Sequence, residues 1–398
     1  MIGAVLLSCA AVEAGLHLLV RRLRRDFPWL IVPADAAPEI PEALARRHGA
    51  RSFDADLGWC RVPGEHAIEH TANGDTSFTV DPHGRRLNPG FGAKPAEVAA
   101  FGDSFTFCRL VDDDETWPHH LSVALGENVA NYGVGNYGLD QALLRLENEI
   151  DALDARVVVM GVVPETIARV QSYWKHYFEY GNTLAFKPRF TLGTNGLVLH
   201  QSAVRRPEDY VSYRRRLPEI QRLDGFYRSK FLRDVLTFPY LPRVLARWRR
   251  HVPIMWHLLR GNRKKAFQVV LRDNARWTAR LYRDPGSKAL LRALIDRFAE
   301  TCRSHGKEPV LLVMPQPTDE DTAYREVFAS AALPVVDVTD VLRRDDESLW
   351  AAGKLGPHPS GEGNELIARA LAPVVEELLD RAGSGTSRSH RRPPRPHR

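Results

Sequence analysis

Three short stretches of this 398-residue chain carry residue types that can make and break an acyl bond. The first is Ala99-Ala100-Phe101-Gly102-Asp103-Ser104-Phe105-Thr106, where an apolar run stops at Gly-Asp-Ser and a helix is expected to follow. A serine on a tight strand-to-helix turn holds its hydroxyl away from the backbone. Its own N–H then lies where a developing oxyanion can be met. The second stretch is Asn131-Tyr132-Gly133-Val134-Gly135-Asn136-Tyr137-Gly138, whose glycines let the backbone approach closely and expose N–H groups. Its spacing is not that of a dinucleotide-binding loop. The third is Gly356-Pro357-His358-Pro359-Ser360, followed by Gly361-Glu362-Gly363-Asn364. A histidine bracketed by prolines, just ahead of a final helix, can take a proton from a serine and later hand it to a leaving alcohol. Ser104 and His358 are therefore the candidate nucleophile and base.

The elements that must bring these stretches together follow from the hydrophobic pattern. Strands are expected at 98–101, 128–132, 156–163, 309–314 and 334–338; the third is strongly apolar after Arg156, as a strand buried on both faces requires. Helices are expected at 116–125, 139–153, 287–304, 319–331 and 360–379. Alternating strands and helices imply a parallel sheet covered on both sides, with reactive groups at the carboxyl ends of its strands. Residues 170–285 break this rhythm and read as a basic, mostly helical insertion. Residues 26–95, rich in Pro, Gly and short polar runs, read as a lead-in. Residues 382–398, rich in Gly, Ser, Pro and Arg, read as a disordered basic tail.

Composition narrows the class. An apolar share of 44% supports a sizeable core. The cysteines, Cys9, Cys60, Cys108 and Cys302, form no C-x-x-C pair, so neither a disulfide framework nor a metal site is expected. Basic residues concentrate between Arg205 and Arg283 and in the tail, and the rest of the chain is acidic on balance. Residues 1–25 read as a membrane anchor or signal-like helix: Ile2 to Val20 is mostly apolar, interrupted by Glu13 and His17, and Arg21, Arg22, Arg24 and Arg25 follow. A buried amphipathic helix is the alternative. The anchor reading makes the protein membrane-associated at the cell envelope, with its orientation open. Arginines interspersed with Trp248, Trp256, Trp277, Tyr227 and Tyr240 suit an anionic glycan, a phosphate-bearing lipid or a membrane surface. No nucleic-acid-binding motif is present, and nucleic acid is not expected as a partner.

On Gly-Asp-Ser, the glycine turn and His-Pro, in that order, the chain resembles the SGNH (GDSL) hydrolase family over residues 96–169 and 286–381. The stretch from Pro164 to Arg169, with Tyr173 and Lys187-Pro188-Arg189-Phe190, resembles a membrane-associated bacterial subgroup of it. The resemblance implies a three-layer α/β/α fold with a central parallel, flavodoxin-like sheet. It implies that Ser104 is the nucleophile and His358 the base. The oxyanion donors it implies are the N–H groups of Ser104 and Asn136, with Thr166 where the family has an asparagine. The family's orienting aspartate falls on Gly356 or Leu355, so no acid stands there; Asp337 or Asp340, or a backbone carbonyl, is left to hold the ring. No metal or organic cofactor is implied.

These residues support hydrolysis of an acyl or acetyl ester through an acyl-enzyme on Ser104. The alternatives are transfer of the acyl group to a cell-envelope glycan, or a non-catalytic binding protein on a degraded frame. The substrate class is a small-molecule or glycan ester.

Overall fold

The computed structural model describes residues 2–71, 74–316, 322–353 and 356–388. The chain divides into two compact units. One comprises residues 60–170, 190–199 and 281–398, the other 1–59, 171–189 and 200–280.

The first unit is an α/β/α sandwich. Its sheet has five parallel strands: β1 (Ala96–Gly102), β2 (Asn128–Asn131), β3 (Val157–Val162), β4 (Glu308–Val313) and β5 (Val335–Asp337). Their spatial order is β2-β1-β3-β4-β5. Every residue of the central strand β3 is buried, as its unbroken apolar sequence demands. Side chains alternate across the sheet. Val98, Ala100, Val157, Val159, Val310 and Leu312 pack with Trp117 and Leu121 of the helix Trp117–Leu125 and with Ile367, Leu371 and Val375 of the helix Gly361–Arg388. The helices Leu139–Glu149 and Pro285–Ser304 pack on each other and on β1 and β4, and bury Leu143, Leu146, Leu294 and Phe298. In this strand order the connections leave in opposite directions from β1 and β3. The loops at their carboxyl ends part there and open a crevice. Ser104 follows β1, Asn131 ends β2, and Thr166 follows β3.

The expected helix at 319–331 is described as Tyr324–Ala329, and residues 317–321 lie outside the described residues. The last helix runs to Arg388. The remainder of the expected tail, 389–398, also lies outside them.

The second unit is mainly helical. The helix Ile2–Arg24 turns Leu16, Leu19, Val20 and Leu23 inward. They meet Phe27, Leu30, Leu236, Val244, Ile254, Met255, Ala266 and Val270, so the first residues of the chain share a core with the 200–280 segment. The transmembrane reading of residues 1–25 is corrected here. No helix among the described residues is long and apolar enough to cross a membrane. Glu13 interrupts the run, and its carboxylate accepts hydrogen bonds from the N–H groups of Tyr240 (2.6 Å) and Leu241 (2.8 Å). One face of the helix is thus committed to protein.

Candidate active site

Ser104 opens the short helix Ser104–Phe107 directly after β1. Asp103 caps it, accepting the N–H of Phe105 at 2.9 Å. The turn is tight because Gly102 has no side chain: a Cβ there would stand 2.2 Å from the Thr106 hydroxyl and 2.5 Å from the Gly161 carbonyl.

His358 comes from the far end of the chain. It lies on the two-residue strand His358–Pro359, whose antiparallel partner is Trp350–Ala351. Asn364 donates to the Pro359 carbonyl at 3.3 Å and ties this strand to the last helix. The result is an Nε2···Oγ distance of 2.9 Å between His358 and Ser104, across 254 positions of sequence. The ring is 4% exposed and rests 5.0 Å from the Phe105 ring, centroid to centroid. Its Nδ1 lies 3.2 Å from the Gly356 carbonyl, which places the proton on Nδ1 and leaves Nε2 to accept from the serine.

Asp337 and Asp340, the expected orienting acids, are turned elsewhere. Arg325 donates to Asp337 at 2.9 Å and to Asp340 at 2.7 Å, and the other Asp337 oxygen accepts the Thr339 N–H. A backbone carbonyl fills the role instead. Leu355 lies outside the described residues. Burial pushes the His358 ring down from the usual 6.5 to about 4, against the pull of the Gly356 carbonyl. Arg109 lowers it further and Glu69 opposes. The ring is therefore neutral at physiological pH and able to accept a proton, while a carbonyl dipole gives its cation less support than a carboxylate would.

The glycine loop is bound to the serine turn at several points. Val134 donates to the Gly102 carbonyl at 3.0 Å, and the Asn131 side chain donates to the Thr106 carbonyl at 2.8 Å. Gly133 passes so close that a Cβ would sit 2.2 Å from the Phe107 nitrogen. Asn136 has φ of 66°, a left-handed conformation that asparagine tolerates better than most residues. Thr166 is buried beneath the loop, and its hydroxyl accepts the Leu139 N–H at 2.8 Å. Its observed bond thus fastens the first turn of the 139–149 helix.

Three bracing residues were not assigned a role from the sequence. Arg169 donates from Nη1 to Asp103 at 2.5 Å and to the Tyr137 carbonyl at 3.0 Å, and from Nη2 to Glu165 at 2.8 Å. One buried guanidinium thus joins the loops after β1, β2 and β3. Arg86 donates to the carbonyls of Phe107 (2.8 Å), Cys108 and Val111 (2.6 Å), and to Asp113 at 2.9 Å. Glu69 accepts from Arg109 at 2.6 Å and from the Leu110 N–H at 2.7 Å. Burial favours the neutral Glu69 carboxyl, but the hydrogen bond and charge of Arg109 outweigh it and hold the group below the usual range. The anchored segment is strained. Cys108 (φ 59°), Leu110 (φ 68°) and Asn136 are the non-glycine residues with positive φ among the described residues, and all flank this site. The i, i+4 spacing of Glu165 and Arg169 was the one sequence signal available for these contacts.

No family model matches the sequence, and no curated protein matches it. Among solved structures, the chain is similar to a protein described as lipolytic, of the G-D-S-L family, from Desulfitobacterium hafniense. Identity is 14%, the alignment covers 70% of this chain and 98% of that one, and the TM-score is 0.33. It is also similar to the psychrotrophic esterase EstA from Pseudoalteromonas sp. (10% identity, 71% and 98% covered, TM-score 0.32). A third likeness is to a carbohydrate esterase family 2 enzyme with a carbohydrate-binding domain from Corynascus thermopiles (Myceliophthora fergusii). It shows 11% identity, 75% and 74% coverage and a TM-score of 0.34.

Proposed function

We propose that this chain is a serine ester hydrolase of the SGNH kind. The observation that carries the reading is the 2.9 Å approach of His358 Nε2 to Ser104 Oγ. In the proposed reaction, Nε2 takes the hydroxyl proton as Oγ attacks the acyl carbonyl. The tetrahedral oxyanion is held by the N–H groups of Ser104 and Asn136, with the Thr166 hydroxyl as third donor. The intermediate collapses as Nε2–H protonates the departing alcohol. The acyl group is left on Ser104. Water then attacks the acyl-enzyme, gives its proton to Nε2, and the acid leaves as the serine recovers its hydrogen. With the Gly356 carbonyl behind the ring, catalysis runs as a serine–histidine dyad, slower than a full triad. The substrate is a small-molecule or glycan ester.

Hydrolysis of p-nitrophenyl acetate tests this. Ser104→Ala is expected to lower kcat/KM by about 10²-fold or more. A fluorophosphonate probe is expected to label the wild type and not the variant. Equal rates in the two folded proteins, or no labelling of the wild type, would reduce the site to a binding frame.

A further inference from the structure

The helix Trp248–Leu259 has two unlike faces. Arg250, His251, Ile254 and Met255 point inward, each 6% exposed or less. At about 100° per residue, Trp248, Val252, Trp256 and Leu259 fall within an arc of about 80° on the other side. Those four are between 46% and 60% exposed. Leu245, in the preceding helix Tyr240–Ala246, adds a fifth group at 59%. A single exposed leucine on a protein is ordinary; five large apolar side chains in series, two of them indoles, mark an interaction surface.

The charge around the stripe says what kind. Arg249 lies with its guanidinium carbon 5.4 Å from the Trp248 ring, and Arg260 lies 4.1 Å from the Trp256 ring. Between Tyr240 and Arg280 there are eleven Lys and Arg and one acid, Asp273. That acid is already paired with Arg247 at 2.7 Å. Indoles flanked by arginines, with aliphatic side chains beside them, match a helix lying in the headgroup layer, where rings sit at the polar boundary and guanidinium groups reach phosphates. A nucleic acid would take the arginines but leave Leu245, Val252 and Leu259 in water. A second copy of the chain would bring two cationic faces together.

We propose that this face seats the protein on a bilayer containing anionic lipid, lying in the interface without crossing it. The proposal rests on the exposed stripe and the arginines beside it, and not on the ester chemistry. The test is co-sedimentation of the full chain with phosphatidylcholine vesicles, with and without about a third phosphatidylglycerol. Binding is expected only with phosphatidylglycerol, weakening as salt is raised. The double variant Trp248→Ser/Trp256→Ser, which disturbs no core contact, is expected to bind about tenfold more weakly or worse. Hydrolysis of a soluble ester by that variant should be unchanged. The proposal is overturned if the variant binds as well as the wild type. It is equally overturned if the wild type ignores anionic vesicles, or if the substitutions abolish a dimer or a nucleic-acid complex instead. Vesicle binding by a wild type that cleaves no ester would sink the hydrolase reading and leave this surface standing.

Discussion

At the scale of single residues, the proposed chemistry turns on a buried imidazole with a carbonyl behind it. Water cannot reach His358 well enough to solvate its cation, so the ring stays neutral down to about pH 4. The acid limb of kcat/KM for a p-nitrophenyl ester is therefore expected near pH 4 and not near 6.5; a limb at 6.5 would mean that the ring is solvated. The same shift enters stability. The folded state holds this ring unprotonated where the unfolded state binds a proton, so the unfolded state takes up more protons between about 4 and 6.5. By linkage, this contribution is complete above 6.5 and is lost as pH falls through that window. Denaturant unfolding of the wild type against His358→Gln checks the sign, since the variant should lose less stability between pH 7 and pH 5.

At the scale of elements, the site depends on how three loops are held to one another. Each leaves a different strand, and short backbone contacts alone fix only neighbouring pairs. Arg169 supplies the cross-tie, with its side chain 7% exposed and Asp103 and Glu165 on its two arms. Replacing it by Met leaves the Asp103 carboxylate buried and unpaired. Loss of one partner of such a pair costs about 3–5 kcal/mol. Arg169→Met is expected to lower the denaturation midpoint accordingly and to reduce kcat, because Asp103 caps the serine helix. Adding Asp103→Asn removes the stranded charge and should recover part of the stability but less of the rate. A variant as stable and as active as the wild type would show that the loops hold without the tie.

At the scale of the whole molecule, each of the two units carries a large core of its own. One gathers around the five-stranded sheet, the other around Ile254, Met255 and the N-terminal helix. Two cores of this kind need not melt as one cooperative body. Calorimetry is expected to give a total enthalpy larger than the van't Hoff value. Ile254→Ala, a cavity costing about 2–5 kcal/mol, should shift one component and leave the other in place. A single two-state transition that moves as a whole would argue for one cooperative unit.

The sequence by itself determined the alternating strands and helices, the serine after β1 and the histidine before the last helix. Those signals are local: an apolar run of strand length, a turn rich in glycine, a histidine between prolines. It also marked the first twenty residues as apolar, but not that Glu13 and one helical face would be taken up by protein. Tertiary structure alone decided what stands behind His358. Asp337 ends β5 and Asp340 lies just beyond it, and both are held by Arg325. It also decided that Arg86, Glu69 and Arg169 brace the serine turn. Charged residues scattered through loops read as solvated surface, because an ion pair between positions 103 and 169 leaves no periodicity in either segment. Burial makes it costly to strip one partner from such a pair, and burial is a property of the packed chain.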